Sequence, residues 1–208
     1  MIYLIGGPPK CGKTTLAKTL SKTLGMPWVS TDTLQNVIKP YMGQNDLTTK
    51  FPVGGQRCGS NDEKYGKYSA HEIINAYTEQ AKTVYRAIEM FAECEIADGN
   101  DFIIEGYHVE PELVAGLSKK FEGKIKSIFL IKLDQELFVQ NIRKSTTPND
   151  WIIARTKNED TYGKIAAMIS EYSKYFEKES EKYSCQAINM DVNFSGKLVE
   201  AIDLLCKV

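Results

Sequence analysis

Gly7-Pro8-Pro9-Lys10-Cys11-Gly12-Lys13-Thr14 is a complete G-x-x-x-x-G-K-[ST] string, and its setting decides the fold. The apolar run Ile2-Tyr3-Leu4-Ile5 precedes it and Thr15-Leu16-Ala17-Lys18-Thr19-Leu20 follows. A strand, a glycine loop and a helix in that order make a phosphate cradle. Gly7 and Gly12 let the backbone turn tightly around an anion. The amides of Lys10, Cys11, Gly12, Lys13, Thr14 and Thr15 are the expected donors, gathered at a helix N-terminus whose dipole also favours phosphate. Pro8 and Pro9 lack an N–H but lie before those donors. Lys13 is expected to reach the β- and γ-phosphates of a nucleotide, and the Thr14 hydroxyl to ligate Mg²⁺. A bare Gly/Pro turn would explain neither side chain.

Outward from this loop, short apolar runs alternate with helical patterns, which predicts an α/β fold with a parallel sheet covered on both faces. Strands are expected at 2–5, 27–30, 102–105, 127–133 and 185–189. Helices are expected at 13–24, 33–39, 70–97, 111–121, 135–144, 160–182 and 194–206. The longest opens on a capping box, Ser69 with Glu72. Along it Ile73, Tyr77, Ala81, Val84, Ile88 and Phe91 recur at helical steps as a buried stripe. Between Pro40 and Tyr68 the periodicity fails amid five glycines and polar residues, so a structureless lid or covering segment is expected there. The whole chain, 1–208, is read as one domain, with 40–97 a candidate substrate-binding insertion and 144–160 a candidate lid.

The chain has 208 residues, enough for one sizeable core. Its net charge of −1 gives no reason to expect a nucleic-acid polymer or an anionic membrane as partner. Five cysteines with no C-x-x-C pair, and two histidines, read as reduced thiols of a cytoplasmic protein without a zinc site. Cys11, inside the loop, is a candidate oxidisable thiol. The sequence opens on a strand and shows neither a leader pattern nor an apolar run of spanning length, so neither secretion nor membrane insertion is expected. Oligomeric state is left open.

Further residues can carry chemistry beside a phosphate loop. Phe102-Ile103-Ile104-Glu105 is an apolar strand ending in an acid, the place from which a carboxylate organises Mg²⁺ or its waters; the alternative is a solvated strand end. Asp32 follows the second strand, where ligands of doubly wound sheets bind. It is a candidate base for an acceptor hydroxyl, and with Gln35 it also reads as a helix N-cap. Arg143 and Arg155 flank the candidate lid and are candidates for stabilising a transferring phosphoryl group; each also reads as a solvated helix residue. Arg57 and Lys64, in the glycine-rich segment, are candidate contacts for an anionic substrate. His71 reads as an exposed residue at a helix start.

Gly7 to Thr14, Asp32 and Glu105 together resemble the adenylate-kinase-like P-loop small-molecule kinases. Ile104-Glu105-Gly106-Tyr107-His108-Val109-Glu110-Pro111 is similar to the I-E-G-x-H-x-x-P segment of 2-phosphoglycerate kinase-type proteins. The resemblance implies the three-layer P-loop NTPase fold with a five-stranded parallel sheet of order 2-3-1-4-5, ATP as donor, and a mobile lid. It also implies His108 as a substrate or γ-phosphate contact. Where adenylate kinases carry their first lid arginine, this chain has Asn141.

The expected activity is ATP- and Mg²⁺-dependent transfer of the γ-phosphate to a hydroxyl or phosphate of a small metabolite. A GTP-type switch is the alternative from another class, but its [NT]-K-x-D string is matched only by Thr156-Lys157-Asn158-Glu159, which ends in Glu. Asp160-Thr161-Tyr162-Gly163 is likewise misplaced, opening a predicted helix. A toxin-like kinase of a sugar nucleotide or nucleic-acid end, and a module that only binds ATP, complete the alternatives.

Overall fold

The computed structural model describes residues 1–147 and 150–206. β1 (Ile2–Gly6) is buried along its whole length, which is why it reads as an unbroken apolar run instead of an alternation. It runs through the glycine loop into α1 (Lys13–Leu24), β2 (Trp28–Ser30) and α2 (Thr31–Ile38). A 3-10 turn at Lys39–Tyr41 leads to α3 (Gln44–Lys50), α4 (Pro52–Gly55) and α5 (Asn61–Lys67). Next come α6 (Ala70–Ala97), β3 (Phe102–Glu105), α7 (Pro111–Lys120) and β4 (Ile125–Ile131). The chain closes with α8 (Gln135–Arg143), α9 (Trp151–Arg155), α10 (Glu159–Lys182), β5 (Ala187–Asn189) and α11 (Phe194–Cys206).

All five strands are parallel, in the order β2-β3-β1-β4-β5, as expected. α1 and α11 pack together against one face of the sheet, while α6, α7 and α10 pack against the other. Register matters most for function. Ile5 pairs with Glu105, and Glu105 pairs with Ser30. The carboxyl ends of β1, β3 and β2 therefore finish in one row, and everything leaving them emerges on the same edge.

Two expectations need correction. The stretch from Pro40 to Tyr68 is not structureless. It folds as α3, α4 and α5, with α5 capped by Ser60 accepting from the Glu63 amide at 3.1 Å. Phe51 and Tyr65 are buried and fix the segment to the core, against which Leu47 also packs. β4 ends at Ile131, earlier than read, because the next amides leave the sheet: Lys132 N donates to Ser173 Oγ (3.0 Å), and Leu133 N and Asp134 N donate to Asp191 Oδ2. Within the candidate lid, residues 148 and 149 lie outside the described residues. Among the described residues no helix is long and apolar enough to cross a membrane.

Candidate active site

The loop after β1 is held in shape by close backbone approach. A β-carbon on Gly7, at φ 125°, would collide with the Leu130 carbonyl of β4, so no other residue fits there. Gly12 directly precedes α1, whose first residues are Lys13 and Thr14. Lys13 Nζ donates to the Pro8 carbonyl at 2.6 Å, folding its side chain back over the loop. Thr14 Oγ1 donates to Glu105 Oε1 at 2.9 Å. Glu105 is buried; burial pushes its carboxyl above the usual range, with the Lys13 charge and the Thr14 hydroxyl pulling it back. A hydroxyl and a carboxylate side by side at a phosphate loop are hard oxygen donors, and that set fits Mg²⁺, which keeps several waters and phosphate oxygens as its other ligands.

Asp32 is not the N-cap of α2. Ser30 takes that place, its Oγ accepting from the Asp32 amide at 3.2 Å, so the Asp32 carboxylate is left to face the cleft. It presents surface to the open cavity, yet the walls keep bulk solvent away. Burial pushes its carboxyl up, and the Lys13 and Lys39 ammonium groups partly reverse that.

One cavity of about 1050 Å³ opens over this edge of the sheet. It brings together Lys13, Thr14 and Thr15 of the loop, Asp32, Glu105, Arg57 and Arg155. The sequence placed these residues in five separate stretches. Two strands of contact bind the walls to each other. Asn61, buried at the start of α5, donates to the Trp151 carbonyl (3.0 Å) and to Thr156 Oγ1 (2.9 Å) around α9. Asp62 accepts from the Lys157 amide (2.9 Å) and the Asn158 amide (3.2 Å). The inserted segment and the candidate lid thus form one wall. The string weighed as a guanine-reading motif has its amides committed to this clamp.

Four expectations change on the structure. His108 has no exposed surface, and burial holds it neutral, lowering its pKa to about 3, with Lys13 and Lys39 adding to the effect. Both ring nitrogens are occupied: Nδ1 lies 2.7 Å from Thr31 Oγ1, and Nε2 lies 2.9 Å from Gln35 Oε1. Since Gln35 Oε1 can only accept, the network requires the Nε2–H tautomer with Thr31 donating to Nδ1. No nitrogen is left for a substrate anion.

Arg143 does not face the cavity. It pairs with Glu159, stacks 5.6 Å from the Tyr162 ring centroid, and lines a separate surface groove. Asn141, two residues earlier and so on the opposite helix face, lines the cavity instead.

Cys11 points into the core, and burial pushes its thiol up to about 11 despite Lys13 and Lys132; at neutral pH it is an inert protonated thiol. Lys10 contributes more than an amide. Its Nζ pairs with Asp150 at 2.8 Å, tying the loop to the N-cap of α9. Burial alone would push Asp150 up, but Lys10, the Ile152 amide and Ser145 outweigh it and hold the carboxyl below the usual value.

Sequence reasoning missed Lys39, Lys132 and Tyr77, which also line the cavity. No motif announces them. The one available signal was position: Lys39 ends the helix that begins at the carboxyl edge of β2, and Lys132 follows the carboxyl end of β4.

A family model described as "ATPase family associated with various cellular activities (AAA)" matches residues 3–53, the stretch from β1 into α4. Mevalonate-3-phosphate 5-kinase of Thermoplasma acidophilum is 26% identical over 114 residues, 54% of this chain and 54% of that one. Adenylate kinase of Anaeromyxobacter dehalogenans is 27% identical over 148 residues, 68% of this chain and 58% of that one. The chain therefore spans a little over half the length of these curated relatives. Shikimate kinase from Bacteroides thetaiotaomicron superposes with a TM-score of 0.53 at 14% identity, covering 98% of this chain and 94% of that one. A gluconokinase from Sinorhizobium meliloti gives 0.54 at 11% identity, covering 98% and 90%. At such identities the two structures speak to the fold. The likeness of the 104–111 segment to 2-phosphoglycerate kinase-type proteins has no counterpart among these four. By its loop, its sheet order and these relatives, the chain is a P-loop protein of the small-molecule kinase fold, related to adenylate kinase, shikimate kinase and gluconokinase.

Proposed function

We propose that the protein transfers the γ-phosphate of ATP to a hydroxyl or phosphate group of a small metabolite, with Mg²⁺. The observation that carries this is the meeting of Lys13, Asp32, Glu105 and Arg155 in one cavity over the carboxyl ends of the strands. The relatives named as kinases support the same chemistry.

Lys13 and the amides of residues 10–15 hold the donor's polyphosphate, the ammonium and loop dipoles offsetting its charge. Thr14 and Glu105 hold Mg²⁺, which when bound neutralises charge on the phosphate oxygens. Asp32 orients the acceptor hydroxyl and takes its proton; burial has raised its carboxyl toward the range a base needs. Arg155 reaches the transferring group from the lid side, where a guanidinium gains most as charge shifts in the transition state. The joined wall of α5 and α9 keeps water from competing as acceptor. Arg143, facing its own groove, has no part in this scheme.

The test is a screen of hydroxylated and phosphorylated metabolites with Mg-ATP, scored for phosphorylated product, with Lys13→Ala as control. Product formation by the parent and its loss in Lys13→Ala is the expected result. Transfer that persists in Lys13→Ala at the parent's rate removes the mechanism.

A further inference from the structure

The cavity is far more basic than the chain. Among the described residues, eight Lys or Arg and three Asp or Glu side chains line it, in a protein of net charge −1. Two of the three acids are already engaged: Asp150 with Lys10 at 2.8 Å, and Glu105 with Thr14 at 2.9 Å. Donor polyphosphate accounts for the cations around the loop. It does not account for those on the opposite wall.

That wall carries Lys39, Arg57 and Lys64, all from the segment between β2 and α6. None of the three forms an ion pair among the described residues. Instead their surroundings are aromatic and cationic. Lys39 Nζ lies 4.9 Å from the Phe51 ring centroid, and Lys64 Nζ lies 5.6 Å from that of Tyr77. Burial lowers the Lys39 pKa, with Asp32 opposing and the neighbouring Arg57 adding to it. Burial lowers Lys64 likewise, with Cys58 opposing and Arg155 adding.

Half-desolvated cations held near one another cost free energy that a carboxylate on the protein would normally offset. Here the wall is also held rigid, by Asn61 and Asp62 binding α5 to the residues around α9 and the start of α10. A rigid, unneutralised cluster is preorganised for an anion from solution. Lys39 stands beside Asp32, so the anion would be bound next to the group that meets the acceptor's hydroxyl.

We infer that Lys39, Arg57 and Lys64 form an oxyanion subsite, and that the acceptor is a small hydroxylated molecule already carrying a phosphate ester or carboxylate. This rests on the kinase reading above and narrows it: neutral sugars, polyols and nucleosides are excluded as good acceptors. Specificity follows because a neutral acceptor leaves the cations unpaired in a closed cavity.

The test separates the two ideas. Protein is first titrated in a calorimeter with the magnesium complex of a non-hydrolysable ATP analogue; if that does not bind, the kinase reading falls. The saturated protein, its phosphate loop filled, is then titrated with inorganic phosphate. One further phosphate site is expected, weakened at least about tenfold in Lys64→Met and in Arg57→Ala while analogue affinity stays unchanged. Arg57 is exposed, so its variant folds, and a matching thermal melt verifies this. No second site, or one that survives both substitutions, overturns the inference. Acceptors are then offered with Mg-ATP as matched sets of a neutral polyol, its monophosphate ester and its carboxylic acid. Transfer confined to the charged members is expected, and whichever is preferred identifies the anion; equal kcat/KM for the neutral member overturns the inference.

Discussion

Thr31 Oγ1 lies 2.7 Å from His108 Nδ1, and that bond pins the residue before Asp32 to the loop that follows Glu105. The two carboxylates of the cavity are thereby referenced to each other through a buried, uncharged contact. Gln35 Oε1 extends it, accepting from His108 Nε2 and from Gln80 Nε2 at 2.6 Å, and Gln80 Oε1 accepts the Val53 amide at 3.2 Å. One chain of hydrogen bonds so runs from the base of α2 to the acceptor wall.

His108→Phe breaks this chain while keeping bulk. Two buried partners lose a hydrogen bond, so unfolding free energy should fall by about 1–3 kcal/mol in urea titrations. Acceptor KM and kcat should both suffer while nucleotide affinity holds, because Lys13 and the loop are untouched. Since burial keeps His108 near 3, its ring should show no titration by NMR between about pH 5 and 8. A ring pKa near 6.5 would contradict the network.

Gly106→Ala tests the same contact from the other side. Gly106 has φ 152°, and a β-carbon there would collide with Thr31 Oγ1. The substitution should cost about 1–3 kcal/mol. Thr31→Ala removes the colliding hydroxyl, so the double variant should be less destabilised than the two single losses combined. Simple additivity in the cycle would show that the clash is relieved some other way.

How much of this was legible depended on periodicity and on motif. α6 begins at Ala70 and ends at Ala97 as read, because a capping box and a long apolar stripe both mark it. Lys13, Thr14 and Glu105 were found from strand-loop context alone. The helices α3, α4 and α5 were missed for a physical reason: with 7, 4 and 7 residues they are too short to show a repeat and are held by tertiary contacts such as buried Phe51 and Tyr65. The clamp of Asn61 on Thr156 joins distant parts of the chain, which no local pattern reveals. His108 was misplaced because a loop histidine beside a catalytic strand reads alike whether it faces the ligand or props the loop.

Arg143 and Arg155 should separate cleanly. Arg143 is over half exposed and paired with an equally exposed Glu159, an arrangement worth about 0–1 kcal/mol, so Arg143→Ala should leave stability and turnover close to the parent. Arg155 lines the cavity and donates to the Cys58 carbonyl, which aims its guanidinium inward. Arg155→Ala should lower kcat by about 10²-fold or more, with nucleotide affinity little changed. Steady-state kinetics on both variants decides this; equal losses would mean that the lid rearranges to bring Arg143 in.

Glu110 governs a pH dependence of stability away from the cavity. It is 1% exposed, Tyr85 donates to its Oε2, and Tyr175 donates to its Oε1 at 3.3 Å. Burial pushes its pKa up to about 7; the two tyrosines and Lys82 pull it back, and Glu112 adds to the rise. The folded state therefore holds this proton more tightly than the unfolded chain, where a glutamate titrates near about 4.3. Below that value both states are protonated and Glu110 costs nothing. As pH rises toward 7 the unfolded state releases its proton while the folded state keeps it, so stability declines, and it levels off above 7. The lost stability is about 2–3 kcal/mol over that window. Glu110→Gln is always neutral and keeps a carbonyl oxygen for Tyr85, so its stability should fall less than the parent's between pH 5 and pH 8. Urea unfolding at the two pH values measures the difference directly. A variant that loses as much stability as the parent over this range would show that Glu110 is already ionised in the folded protein at pH 5.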